Sequence, residues 1–164
     1  MILELILVLV LIVLNGVLAM SELAVVSARR ARLKLRADRG DAGAARALSL
    51  ADDPGRFLSS VQIGITLVGV LAGAFSGATL GERLSLVLEA AGLPSVAADV
   101  LGVGAVVVCI TYLSLIIGEL VPKQIALRAP EVWAARLAPG LHALSVVAAP
   151  FVWLLDRSGK VLLA

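Results

Sequence analysis

Residues 113–131 read LSLIIGELVPKQIALRAPE, and the fold turns on how a helix passes through them. A long apolar run leads straight into Gly118, Glu119 and Pro122. Gly118 removes side-chain bulk. Pro122 has no N–H, and its ring crowds the carbonyl four residues back, which is that of Gly118. A helix arriving here is expected to kink or unwind, leaving the Gly118 carbonyl without its usual donor. That carbonyl then stands beside the Glu119 carboxylate, and the pair can begin a cation site near a membrane. The alternative is an ordinary pairing of Glu119 with Lys123 at a helix end.

Composition says which solvent surrounds this run. The chain has 164 residues, of which 60% are hydrophobic and 16% charged, with mean hydropathy +1.04. Soluble domains are nearer about 45–50% apolar and about 25% charged. The sequence is that of an integral membrane protein. Its one cysteine, Cys109, excludes a disulfide framework and a cysteine-based metal site, and is read as a small buried packing residue. The one histidine, His142, excludes a multi-histidine site. No nucleophile–base pair or metal-hydrolase motif indicates an enzyme. The first 20 residues lack a basic leading region and read as a retained helix, not a signal peptide.

Three apolar stretches are long enough to span a bilayer, at about 2–27, 57–80 and 96–119. The first holds Asn15 and Glu22 on one face, with Ser21 beside it. Glu22 is either an ion-site carboxylate or a partner of Arg29 or Arg30. In the second, Ser60 and Gly64 share a face, while Ser59, Gln62 and Thr66 share another. Gly69, Gly73, Gly77 and Gly81 recur every four residues, a stripe suited to close helix contact within the chain or across a dimer. Residues 81–95 read as a polar, Gly/Pro-punctuated connection. In the third stretch Gly102 and Gly104 suit close packing. A fourth stretch, 131–155, is broken by Arg136, Pro139 and Pro150, with Trp133 and Trp153 near its ends. It is expected to lie at the interface as shorter helices.

Charge is placed unevenly. Eight of the 14 Lys/Arg fall in residues 28–56, which read as amphipathic helix with a turn near Gly40–Gly43. No aromatic residue is interleaved with them, so anionic lipid and not nucleic acid is the expected partner. Only Arg83 lies between the second and third stretches; Lys123, Arg128 and Arg136 follow the third. The positive-inside rule then places the N-terminus outside and the C-terminus in the cytoplasm. An interfacial fourth stretch keeps Arg157 and Lys160 inside.

This topology brings Ser21 and Glu22, the group Ser59, Ser60 and Gln62, and Ser114, Gly118 and Glu119 to similar depth near the cytoplasmic side. Hydroxyl, carboxylate, amide and carbonyl oxygens suit Mg²⁺, Na⁺ or Ca²⁺. Serine hydroxyls can equally bond back to their own helix.

The segments NGVLAMSELAVVSARRARL (15–33), FLSSVQIGITLVG (57–69) and IGELVPKQIALRAPE (117–131) resemble the transmembrane domain of the CorC/cyclin M (CNNM) magnesium transporter family. The resemblance implies an all-α membrane domain of three spans with juxtamembrane and interfacial helices, forming a homodimer in the plasma or inner membrane. It implies export of Mg²⁺ from the cytoplasm, coupled to Na⁺ entry. It carries Mg²⁺ coordination onto Glu119, the Gly118 carbonyl, Ser21 and Ser60. Many relatives have asparagines where this chain has Ile65 and Gly69, which brings in Ser59 and Thr66; Glu22 is a further ion-site residue. The membrane domain is then residues 1–156, and 157–164 begin a linker to cytosolic regulatory modules that are absent here. Two rival functions stand beside this one. A small multidrug-type proton-coupled cation antiporter also uses a membrane glutamate. A Mg²⁺-sensing dimerisation domain without transport would use the glycine stripe equally well.

Overall fold

The computed structural model describes residues 2–162, and every regular element among them is helical. The helices are α1 (Ile2–Ser27), α2 (Arg30–Asp38), α3 (Ala42–Asp52), α4 (Pro54–Phe75), α5 (Glu82–Ala90), α6 (Ser95–Leu115), α7 (Val121–Arg128) and α8 (Pro130–Leu162). Two π-helical turns join neighbours without a break, Ser76–Gly81 between α4 and α5 and Ile116–Leu120 between α6 and α7. Among the described residues four helical stretches are long and apolar enough to cross a membrane: Ile2–Ser27, Pro54–Ala90, Ser95–Arg128 and Pro130–Leu155. Their apolar side chains are widely exposed, Leu3, Val10, Val70, Val100 and Val108 among them, as lipid-facing surfaces are. Residues 163–164, the end of the expected linker, lie outside the described residues.

The chain divides into two compact units. The first combines the residues up to Gly16 with Leu67–Val121. Val8 and Ile12 of α1 pack there with Ile110 of α6, flanked by Val106 and Leu113. α5 lies against α6 where Gly102 meets Ser85, and a Cβ on Gly102 would come within 2.6 Å of the Ser85 backbone nitrogen. Gly104 meets no neighbour. Glu4 and Arg83 pair at 3.0 Å.

The second unit combines Val17–Thr66 with the residues from Pro122 onward. Leu33, Ala44, Ala47, Leu50 and Phe57 are buried there with Ala134, Ala135, Ala138 and Leu141 of α8. Glu131, 9% exposed, fixes the start of α8: it accepts the Arg29 N–H at 3.4 Å and lies 3.8 Å from the Arg32 guanidinium.

Two helices end in the same way. Gly40 and Gly92 have positive φ (91° and 99°), a conformation that glycine adopts without cost. Around Gly40, its N–H bonds the Ala37 carbonyl and the Asp41 N–H bonds that of Arg36; around Gly92 the pairs are Gly92–Glu89 and Leu93–Leu88. Both are Schellman ends, so the turn expected near Gly40–Gly43 is present and centres on Gly40.

Asp41 closes α2 and opens α3. Its Oδ1 accepts the Ala44 N–H at 3.0 Å, and its Oδ2 accepts from Arg36 at 2.8 and 3.0 Å. The Ala44 N–H, and then the Arg36 guanidinium, hold this carboxyl below its ordinary range. A depressed folded pKa gives stability that is present above the ordinary aspartate value and lost as pH falls through the folded value. We expect the thermal midpoint to fall more steeply below that range in wild type than in Asp41→Asn. The variant keeps a cap but has no proton to take up. Unfolding curves at stepped pH check this, and parallel slopes would remove Asp41 from the acid response.

Three expectations need correction. The stretch 131–155 is not broken into shorter helices: α8 runs continuously from Pro130 to Leu162 with Pro139 and Pro150 inside it. An interior proline costs roughly 3 kcal/mol, and the buried row Ala134, Ala135, Ala138 and Leu141 offsets it by packing. Residues 81–95 are mostly helix, because the π turn carries α4 into α5 and only Ala91–Pro94 connect onward. Cys109 is exposed on α6, not buried.

Candidate cation site

The apolar run 95–115 forms α6, and Pro122 follows it by less than two turns. Pro122 offers no N–H to the Gly118 carbonyl. The backbone answers with a π-helical turn in which the Val121 N–H reaches the Ile116 carbonyl five residues back. Such single-turn π segments often mark functional positions. Gly118 is buried, and a Cβ there would sit 3.3 Å from the Ile12 carbonyl and 3.4 Å from Asn15 Nδ2. Glycine thus lets α1 approach the turn.

The Gly118 carbonyl does have a donor: Asn15 Nδ2, at 3.2 Å. The expected release from the helix ladder is therefore answered by a side chain 103 residues away. The other end of that amide, Oδ1, is sealed from solvent without a hydrogen-bond partner. Glu119 follows in the chain and is half-buried. All three residues belong to the first unit. The sequence places Asn15 on a polar face of α1 but gives it no role, since a partner 103 residues away leaves no local signal.

Ser21 and Ser60 belong to the second unit and are almost fully buried, at 0% and 1% exposure. Ser21 Oγ donates to the Leu18 carbonyl at 2.6 Å and Ser60 Oγ to that of Arg56 at 2.8 Å. Both therefore bond back to their own helix. A hydroxyl that has given its proton away keeps its lone pairs, the state in which it can face a cation. Gly64 meets the Leu18 side chain, so each serine stands one helical turn from a place where α1 touches α4. Glu22 is half-buried. Arg30 instead pairs with Asp52 and also donates to the Ala51 carbonyl, while the Arg29 N–H bonds Glu131. Ser59, Gln62 and Thr66 are exposed. Ile65 is half-buried, and Gly69 meets no neighbour.

No three carboxylate, imidazole or thiol groups gather in one place among the described residues. The oxygens available around the π turn are mainly neutral, with one carboxylate next in the chain.

Residues 6–164 match the family model described as the cyclin M transmembrane N-terminal domain. The chain belongs to the cyclin M family. This cyclin M domain is 49% identical over 98% of its length to a UPF0053 protein of Synechocystis sp., covering 36% of that relative. It is 31% identical over 97% of its length to the UPF0053 protein YhdT of Bacillus subtilis, covering 34% of it. A protein of Haemophilus influenzae that bears the name polyamine export protein is 28% identical over 92% of the chain, which covers 35% of that relative. The chain thus spans about a third of the length of these relatives. Family membership and the long apolar helices make it a multi-pass membrane protein.

Proposed function

We propose that this domain exports Mg²⁺ from the cytoplasm across the plasma or inner membrane, coupled to Na⁺ entry, as a homodimer. The observation that carries the reading is the π turn at Ile116–Leu120, with a buried Gly118 carbonyl one residue from the Glu119 carboxylate. A hard divalent cation is held by oxygen ligands of this kind. Glu119 supplies charge and the Gly118 carbonyl a fixed dipole. On the family resemblance, Ser21 and Ser60 are each proposed as a neutral hydroxyl ligand. Glu22 takes Na⁺ on the return, and Ser59 and Thr66 are further ion-site residues of α4.

Three spans, with the N-terminus outside and α8 at the interface, fit the placement of Lys and Arg better than a fourth crossing, which would put Arg157 outside. Gly69, Gly73 and Gly77 meet no neighbour within the chain, which supports a contact with a second copy. Exposed Arg29, Lys34, Arg39 and Arg46 suit anionic lipid headgroups.

A second reading takes an organic polycation as cargo, favoured by the relatives named polyamine export protein in Haemophilus influenzae and Escherichia coli. Ammonium groups can donate to the same carbonyl and carboxylate. Flux from reconstituted vesicles separates the readings. We expect Mg²⁺ movement that rises with an opposing Na⁺ gradient and ignores a proton gradient. Spermidine flux without Mg²⁺ flux would establish the second reading. Mg²⁺ binding without flux of either would leave a sensing and dimerisation domain.

A further inference from the structure

The Asn15 amide is satisfied at one end only. Its Nδ2 donates to the Gly118 carbonyl at 3.2 Å, and its Oδ1 is buried with no partner. A buried amide oxygen left in that state gives up its hydrogen bonds to water and gains none in return. Leucine has the same branching at Cγ and would not carry that cost. The place therefore holds an oxygen that the fold itself does not use.

A half-turn of the amide about Cβ–Cγ exchanges nitrogen and oxygen with little movement of the heavy-atom positions. It sets Oδ1 close to where Nδ2 now stands, 3.2 Å from the Gly118 oxygen. Adjacent ligands of an octahedral Mg²⁺, with bonds of about 2.0–2.1 Å, lie about 2.8–3.0 Å apart. With Ca²⁺ bonds of about 2.3–2.6 Å the separation is about 3.3–3.7 Å. The observed spacing falls between the two, so a small hard cation can share both oxygens after a shift of a few tenths of an ångström.

We propose that Asn15 is a cation ligand that works by turning its amide. With no cation bound, its N–H occupies the Gly118 carbonyl; on arrival of the cation the amide turns and Oδ1 coordinates alongside that carbonyl. This inference rests on the cation-transport reading above and names a further ligand for it. It also gives the empty state a stabilising donor on the Gly118 carbonyl. Release of the cation then leaves the Gly118 carbonyl with a donor, and a carrier must return through an empty state.

The test is calorimetric titration of Mg²⁺ into the purified protein, comparing wild type, Asn15→Leu, Asn15→Asp and Glu119→Ala. Leucine keeps the branching at Cγ and removes donor and oxygen together. Aspartate keeps an oxygen but has no N–H to donate. We expect Asn15→Leu to bind at least tenfold more weakly and Asn15→Asp to bind as tightly as wild type or more tightly. Equal weakening in both would make Asn15 a donor only and overturn the inference. Wild-type affinity in Asn15→Leu, with binding still lost in Glu119→Ala, would overturn it while sparing the cation reading. No binding by wild type itself would end both. If the leucine variant does not fold, the aspartate variant decides: retained affinity supports the ligand role, and a tenfold loss excludes it.

Discussion

Glu119→Ala loses saturable Mg²⁺ binding at concentrations that fill the wild-type protein, and Glu119→Gln loses it too. The expectation follows from charge. A divalent cation leaving water gives up hydration that neutral dipoles replace only in part, so affinity depends strongly on how many ligands are ionised. Around the π turn the neighbouring oxygens are the amide and carbonyl of Asn15 and Gly118, both neutral. Removing the one adjacent carboxylate takes away the only full negative charge that this stretch contributes. Changing groups that merely support metal ligands weakens metal sites by about 10–100-fold. Losing a charged ligand should cost at least about 100-fold on that scale. Glutamine separates charge from shape, because it keeps the length and one carbonyl oxygen. Calorimetry on detergent-purified protein reads the affinity, and the thermal midpoint without Mg²⁺ shows whether each variant still folds. Wild-type affinity in Glu119→Gln would return Glu119 to a structural role and remove the charge from the proposed mechanism.

The sequence announced this turn because its cause is local. Gly118 and Pro122 are four residues apart, and the missing N–H of Pro122 bears directly on the Gly118 carbonyl. The turn near Gly40–Gly43 was legible for the same reason, and the structure centres it on Gly40 as a Schellman end. Asn15 was not legible as the partner. A contact across 103 residues has no local signature, and an asparagine in an apolar run reads the same whether or not a carbonyl lies opposite. Prolines misled in the other direction. Pro139 and Pro150 predict breaks from local cost alone, whereas burial along α8 is a tertiary term that outweighs it. Cys109 was misplaced because apolar neighbours imply burial in water but not in lipid, where an exposed face is also apolar. Glu131 carried no signal either. Its role comes from α2 lying over the start of α8, which only the fold supplies.

Gly43→Ala destabilises the domain, and Gly43→Val does so more. Residues 40–43 read as a turn, but its two glycines have different work. Gly40 has positive φ and open space around it, whereas Gly43 lies inside α3 with ordinary helical geometry. A Cβ at Gly43 would run into the backbone carbonyl of Ala135 on α8. That obstacle is main chain, so no rotamer change relieves it. Either α3 moves away from α8 or the first turn of α3 distorts. Ala44 and Ala47 of α3 and Ala134, Ala135 and Ala138 of α8 are all buried, so a small separation opens gaps along the whole contact. Overpacking of this kind costs about 1–3 kcal/mol and occasionally more. Helix propensity works the other way, since alanine in a helix interior is favoured over glycine by about 1 kcal/mol. A net loss in Gly43→Ala therefore shows that packing dominates. Gly55→Ala is the control: nothing lies near a Cβ there, and it sits in the first turn of α4. Thermal unfolding of the two alanine variants side by side should give a lowered midpoint for Gly43 and an unchanged or raised one for Gly55. A raised midpoint in Gly43→Ala would mean that α3 stands further from α8 than this packing requires, and that Gly43 belongs to the turn after all.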